Sequence, residues 1–172
     1  MANMTRENHH DLSLVPLTVS RVDLAYPLVR EGRSDLTLEE WRGLALPLAA
    51  PDDCRTLPDA PEREGIVAVE RHGYLRGLAV YSVSPDLRRG RIMMVPDLVV
   101  AGSLEAPAVL ECLIFGLRDM ARRRACEAIS ITLESGFVWA GVILERHGHR
   151  HGGRLYRCDD LSQAFRGWTQ RC

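Results

Sequence analysis

Apolar positions recur along this chain with two periods, and the change from one to the other is sharpest over residues 91–133. Residues 92–100 (IMMVPDLVV) are mostly apolar, as a strand covered on both faces is. Pro96 interrupts the run. Proline has no N–H to give a sheet ladder, so a bulge or splay is expected there. Ala101, Gly102 and Ser103 turn the chain, and Pro107 falls in a first helical turn, where its missing N–H costs little. Val109, Leu110, Leu113, Ile114, Leu117, Met120 and Ala121 then recur at helical spacing and form one apolar face. Arg122, Arg123 and Arg124 close the helix at the negative end of its dipole. Residues 128–133 (AISITL) read as a second strand. Two apolar strands bridged by a helix predict a βαβ unit with parallel strands.

The remaining pattern is less regular. Residues 1–11 look untethered, and a single domain is expected over 12–172. Residues 13–22 (SLVPLTVSRV) alternate as a first strand, with Pro16 pointing to an edge position. Residues 24–30 suggest a short helix. Ser34 and Asp35 offer a cap for a second helix, in which Leu36, Leu38, Trp41, Leu44 and Leu46 form a rough stripe. Residues 51–64 carry three prolines and read as a loop. A hairpin follows: 65–71, a His72-Gly73 turn, and 74–84. Residues 85–90 (PDLRRG) make a second hairpin turn into 92–100. Beyond 133, Glu134-Ser135-Gly136 opens a helix, FVWAGVILERHG, with Val138, Val142 and Ile143 among its apolar positions. Residues 154–158 are strand-like, and the tail is a terminal helix or a last irregular strand.

Composition narrows the chemistry. A hydrophobic share of 46% and a net charge of −1 describe an ordinary globular chain, with no global electrostatic case for nucleic acid or an anionic membrane. All 22 basic residues are arginine, which removes Schiff-base chemistry and a P-loop lysine. Cys54, Cys112, Cys126, Cys158 and Cys172 are odd in number and lack a CxxC pair, so reduced thiols and a cytoplasmic setting are expected. The polar N-terminus is not a signal peptide, and no apolar run reaches membrane-spanning length.

The order β–α–α–β–β–β–α–β–α–β, with VLECLIFGLRDMARRRACEAISITL over 109–133 and AGVILERHGHRHGGRLYR over 140–157, resembles the GNAT superfamily of N-acetyltransferases from about residue 14 to 159. The resemblance implies an α/β (α+β) fold: a mixed, mostly antiparallel sheet of 6–7 strands, a parallel strand–helix–strand unit, and helices on both faces. It implies acetyl-CoA as co-substrate, lying where the fourth and fifth strands splay. By the resemblance Leu98, Val99 and Val100 face the pantetheine arm. Gly102, Ser103, Leu104, Glu105 and Ala106 form the pyrophosphate turn, since free N–H groups at a helix start hold phosphate. The turn is degenerate. Where the family pattern reads (Arg/Gln)-x-x-Gly-x-(Gly/Ala), this chain has Ala101, Leu104 and Ala106, and Glu105 adds a negative charge. Leu144 stands where the family often has a tyrosine that protonates the leaving thiolate, and Phe137 where it has an asparagine.

Acyl transfer to an amine needs a base, or water held by one, as nitrogen attacks the thioester. Asp97, beside Pro96 at the expected splay, is the first candidate, and Glu134, just past the fifth strand of the family order, is the second. The bland readings are a turn-forming Asp at a bulge and a carboxylate at a helix start. Ser135 and Tyr156 are candidate donors to a thiolate. His147, His149 and His151 share a face if extended, a metal-like spacing, but no carboxylate or cysteine completes the set. His9 and His10 offer still less. Arg88, Arg89 and Arg91, with Arg122 to Arg124, suggest a basic patch or simply solvated faces. Cys126 has no histidine placed to activate it.

These features predict an acyl-CoA-dependent N-acyltransferase acting on an amine, small-molecule or protein, with no metal, no nucleic acid and no membrane partner. Many GNAT-like proteins dimerise, so a homodimer belongs to the expectation. The alternative is a catalytically inactive GNAT-like module that binds acyl-CoA or a protein. An unrelated α/β binding domain is separated from both by one feature: a gap between the central strands at Pro96.

Overall fold

Along each central strand successive side chains enter two different apolar layers, as a pleated strand covered on both sides requires. In the computed structural model, which describes residues 11–54, 64–133 and 138–152, five strands form one sheet. They are β1 Ser13–Pro16, β2 Glu64–Arg71, β3 Tyr74–Asp86, β4 Gly90–Val100 and β5 Ala128–Ile131, side by side in that order. All neighbours are antiparallel except β4 and β5, which are parallel. Helices α1 Val22–Gly32 and α2 Leu38–Ala45 precede β2, α3 Ala106–Arg123 joins β4 to β5, and α4 Val138–Arg146 follows.

The expected class holds, with a correction in strand number: five strands rather than 6–7 among the described residues. The strand expected over 154–158 and the tail beyond it lie outside those residues. All seven apolar positions predicted for the long helix are buried. With Val67 and Val69 of β2, and Ala79 and Tyr81 of β3, they build the layer under α3 and α4. Ile66, Ala68 and Leu78 point the other way, into a layer closed by α1 and α2. Gly77 lets α3 approach: a Cβ there would stand 2.7 Å from a Val109 methyl and 3.1 Å from the Val99 carbonyl oxygen.

Several boundaries differ from the pattern. The first strand is only four residues, and Val19–Arg21 is a 3-10 turn leading into α1. The α2 cap is Thr37, not Ser34 or Asp35. Its hydroxyl accepts the Glu40 N–H at 3.3 Å, and the Glu40 carboxylate accepts the Thr37 N–H at 2.9 Å, a reciprocal capping box. Leu44 and Leu46 of the expected stripe are exposed, whereas Trp41 is buried and its indole N–H donates to the Val22 carbonyl at 2.7 Å. In α4, Ile143 is buried as expected, Val138 and Val142 are exposed, and Ala140 and Leu144 are buried in their place. The His72-Gly73 turn has both residues at positive φ, 51° and 83°, which matches the twist of a two-residue hairpin. Strands β3 and β4 extend further than expected, around a turn in which the Asp86 carboxylate accepts the Arg88 and Arg89 N–H groups. No helix among the described residues is long and apolar enough to cross a membrane.

Candidate functional site

Pro96 does what its missing donor requires. Strands β3 and β4 pair in step from Gly77–Val100 to Val80–Asp97, and again from Ser82–Met94 onward. Between those stretches β4 takes one more residue than β3, opposite Tyr81, which is a bulge. The bulge reverses the alternation of faces. Met93 and Val95 before it and Leu98 and Val100 after it all pack under α3, while Val99 joins the α1 layer.

The parallel strand leaves at the same place. Strand β5 pairs with Ile92 to Val95, and the last link is the Thr132 N–H to the Val95 carbonyl, 2.9 Å. From Pro96 onward that edge of β4 has no strand beside it among the described residues. The Ala101 N–H donates to the Arg76 carbonyl of β3 at 2.9 Å. Backbone groups alternate between the two sides of a strand. Val99 and Asp97 therefore face β3, and the N–H and C=O groups of Leu98 and Val100 face the open edge.

A cleft lies at the fork, lined by Gly32, Arg33, Pro96, Asp97, Leu98, Val99 and Thr132. Asp97 is exposed, and its Oδ1 is 3.9 Å from Nη1 of Arg33, whose Nε is 3.7 Å from Asp35. An ion pair this long and this solvated is worth little, so the Asp97 carboxylate keeps acceptor capacity toward the cleft. Gly32, Arg33 and Thr132 carry no motif. They meet Asp97 only because α1 ends, and β5 leaves the ladder, over the β4 bulge.

Further along the open edge the chain turns into α3. There the Gly102 N–H donates to the Glu31 carboxylate at 3.2 Å. The Glu105 N–H donates to the Ser103 hydroxyl and the Ala106 N–H to the Ser103 carbonyl. Glu105 does not cap α3 with its side chain; it pairs with Arg71, at the end of β2, whose other nitrogen lies 3.7 Å from Asp11. The negative charge that Glu105 adds at this turn is thus matched by an arginine, while a second carboxylate, Glu31, has joined it. Leu104 is fully exposed.

Neither a comparison with protein-family models nor one with curated proteins finds a match. Solved structures do match. An aminoglycoside N-acetyltransferase in complex with CoA has a TM-score of 0.70 at 10% identity, over 87% of this chain and 95% of that one. A ribosomal-protein-alanine N-acetyltransferase from Brucella melitensis biovar Abortus 2308 has 0.66 at 14%, over 86% and 98%. A Trypanosoma brucei acetyltransferase has 0.64 at 19%, over 87% and 99%. The chain has the GNAT fold. The match in fold over 86–87% of the chain, with β5 leaving β4 at Pro96, sets aside the unrelated α/β domain.

Other candidates fare differently within the GNAT frame. Glu134, Ser135, Phe137 and Tyr156 lie outside the described residues. Leu144 is buried in the layer under α3. His147 Nε2 lies 3.2 Å from Glu111, and its ring stands edge-on to Phe115. Among the described residues no group of three or more His, Cys, Asp or Glu side chains is placed to hold a metal ion. The arginines do not form one patch: Arg124 is buried with its guanidinium over the Tyr81 ring, and Arg123 pairs with Asp119. Burial pushes the Cys126 thiol above its ordinary value, the wrong direction for a nucleophile.

Proposed function

We propose that this chain is an N-acyltransferase that moves an acyl group from a thioester of the acetyl-CoA class to an amine. The observation that carries the reading is the open edge of β4 beyond the Pro96 bulge, with a solvated carboxylate at its mouth. A pantetheine arm is a chain of amides, and amides pair with a free strand edge as a further strand would. The N–H and C=O groups of Leu98 and Val100 hold that arm, with Val99 between them fastening the strand to β3. The thioester supplies an activated acyl carbon. Asp97, or Glu134 as the second candidate, or water held by either, accepts the proton from the attacking amine as the C–N bond forms and the C–S bond breaks. The thiolate leaves and is protonated from solvent or by one of the candidate donors, Ser135 or Tyr156. Acceptor contacts come from the end of α1, which reaches the cleft through Gly32 and Arg33.

The test is thiol release from acetyl-CoA and from acetyl-pantetheine against a broad panel of amines, with Asp97→Asn alongside. Amine-dependent release that falls about a hundredfold or more in the variant supports the reading. No release with any amine sinks it. One observation favours the second reading, a thioester-binding module without catalysis. Leu144 is buried and apolar where the family often has its proton donor.

A further inference from the structure

The open edge and the turn at its end make opposite demands on a ligand. From Asp97 to Ala101 the strand advances about 13 Å, so an arm laid along Leu98 and Val100 with its thioester at the fork delivers its far end to residues 102–106. Phosphate would be held there by N–H groups and the positive end of the α3 dipole. Three of those N–H groups are already used. Gly102 gives its proton to Glu31, and Glu105 and Ala106 give theirs to Ser103. Pro107 has none to give. Among residues 102–107 the Ser103 and Leu104 amides remain, followed by that of Ala108 in the first turn of α3. Two carboxylates, Glu31 and Glu105, flank the turn, and the guanidinium that pairs with Glu105, that of Arg71, is shared with Asp11. Ala101, Leu104 and Ala106 bring neither a cation nor a glycine-lined approach. The residues of this turn do not fit a diphosphate, while those of the strand edge fit an amide arm.

We infer that the donor is recognised by its pantetheine arm alone, and that Glu31 and Glu105 act against a nucleotide diphosphate at the α3 turn. The ligand class is an acyl-pantetheine thioester without the adenosine diphosphate portion of CoA, free or carrying a single phosphate. The inference rests on the proposed acyltransfer function and specifies its donor.

Binding separates the possibilities without knowledge of the acceptor. Calorimetric titration of the full chain with pantetheine, 4′-phosphopantetheine and CoA, at low and high salt, gives three affinities. Pantetheine binding at least as tightly as CoA supports the inference, as does a CoA affinity that rises with salt while that of pantetheine stays constant, because salt screens like-charge repulsion. The double variant Glu31→Gln, Glu105→Gln should then tighten CoA by about tenfold and leave pantetheine unchanged. If 4′-phosphopantetheine matches pantetheine, one phosphate is tolerated and the exclusion is of the diphosphate. CoA favoured over pantetheine by tenfold or more overturns the inference and leaves the proposed function standing. No binding by any of the three overturns both.

Discussion

The Glu31 carboxylate, on the last turn of α1, accepts the N–H of Gly102, 71 residues away, at 3.2 Å. This contact ties the helix that flanks the cleft to the turn that ends the open strand edge. It also places a negative charge beside the turn that leads into α3. Glu31→Ala should release the Gly102 amide and leave stability nearly unchanged, since the bond is exposed. The change to look for in thermal melts is a shift of no more than about 2 °C.

Arg71 is the charge that keeps Glu105 matched. Arg71→Met should leave Glu105 without its partner and lower the melting temperature by about 2–4 °C, as expected for a half-buried pair in a domain of this size. If Arg71 instead serves the ligand, the melt will be unchanged and thioester affinity will fall; titration of the same variant distinguishes the two.

Gly77 sits where α3 presses on β3. Gly77→Val would drive a side chain into Val109 and the Val99 carbonyl. Such overpacking costs about 1–3 kcal/mol, and it acts one residue from the strand edge that would hold the donor. Urea unfolding should show a lower midpoint with an unchanged slope.

The capping box predicts an acid effect. Donation from the Thr37 hydroxyl, and then from its backbone N–H, holds the Glu40 carboxyl below its ordinary value of 4.5. A depressed carboxyl stabilises the fold above its unfolded value and loses that contribution as the pH drops through its folded value. Thr37→Ala should therefore lower the melting temperature at neutral pH by about 2–4 °C. The gap to wild type should narrow as the pH falls below 4.5, while the part owed to the Glu40 N–H bond to the Thr37 hydroxyl remains.

His149 works in a different window. Burial pushes its imidazole below 6.5, with the charges of Arg118 and His147 adding to the effect against a backbone contact at Leu144. On acidification through 6.5 the unfolded chain takes up a proton that the folded chain resists, so stability falls. Unfolding free energies at about pH 7.5 and about pH 5.5 should differ less in His149→Gln than in the wild type. An equal difference in both would remove His149 as the cause.

What the sequence determined by itself is local and periodic. The apolar face from Val109 to Ala121 follows from 3.6-residue spacing, and all of it is buried. The His72-Gly73 hairpin follows from two residues that tolerate positive φ. The break at Pro96 follows from one missing donor, and from it came Asp97 as the residue at the fork. The tertiary structure decided what depends on distant partners. The bulge opposite Tyr81 chose which amides of β4 face the open edge, because an extra residue in one strand matters only against its neighbour. Thr37 won the α2 cap over Ser34 and Asp35 because only it stands three residues before a carboxylate that reaches back. Gly32, Arg33 and Thr132 became cleft walls, and Glu31 and Arg71 set the charge at the α3 turn, because chain folding brought them there. Spacing along a sequence encodes periodicity and capping. It does not encode electrostatic neighbours 34 or 71 residues apart, which exist only once the sheet has ordered its strands.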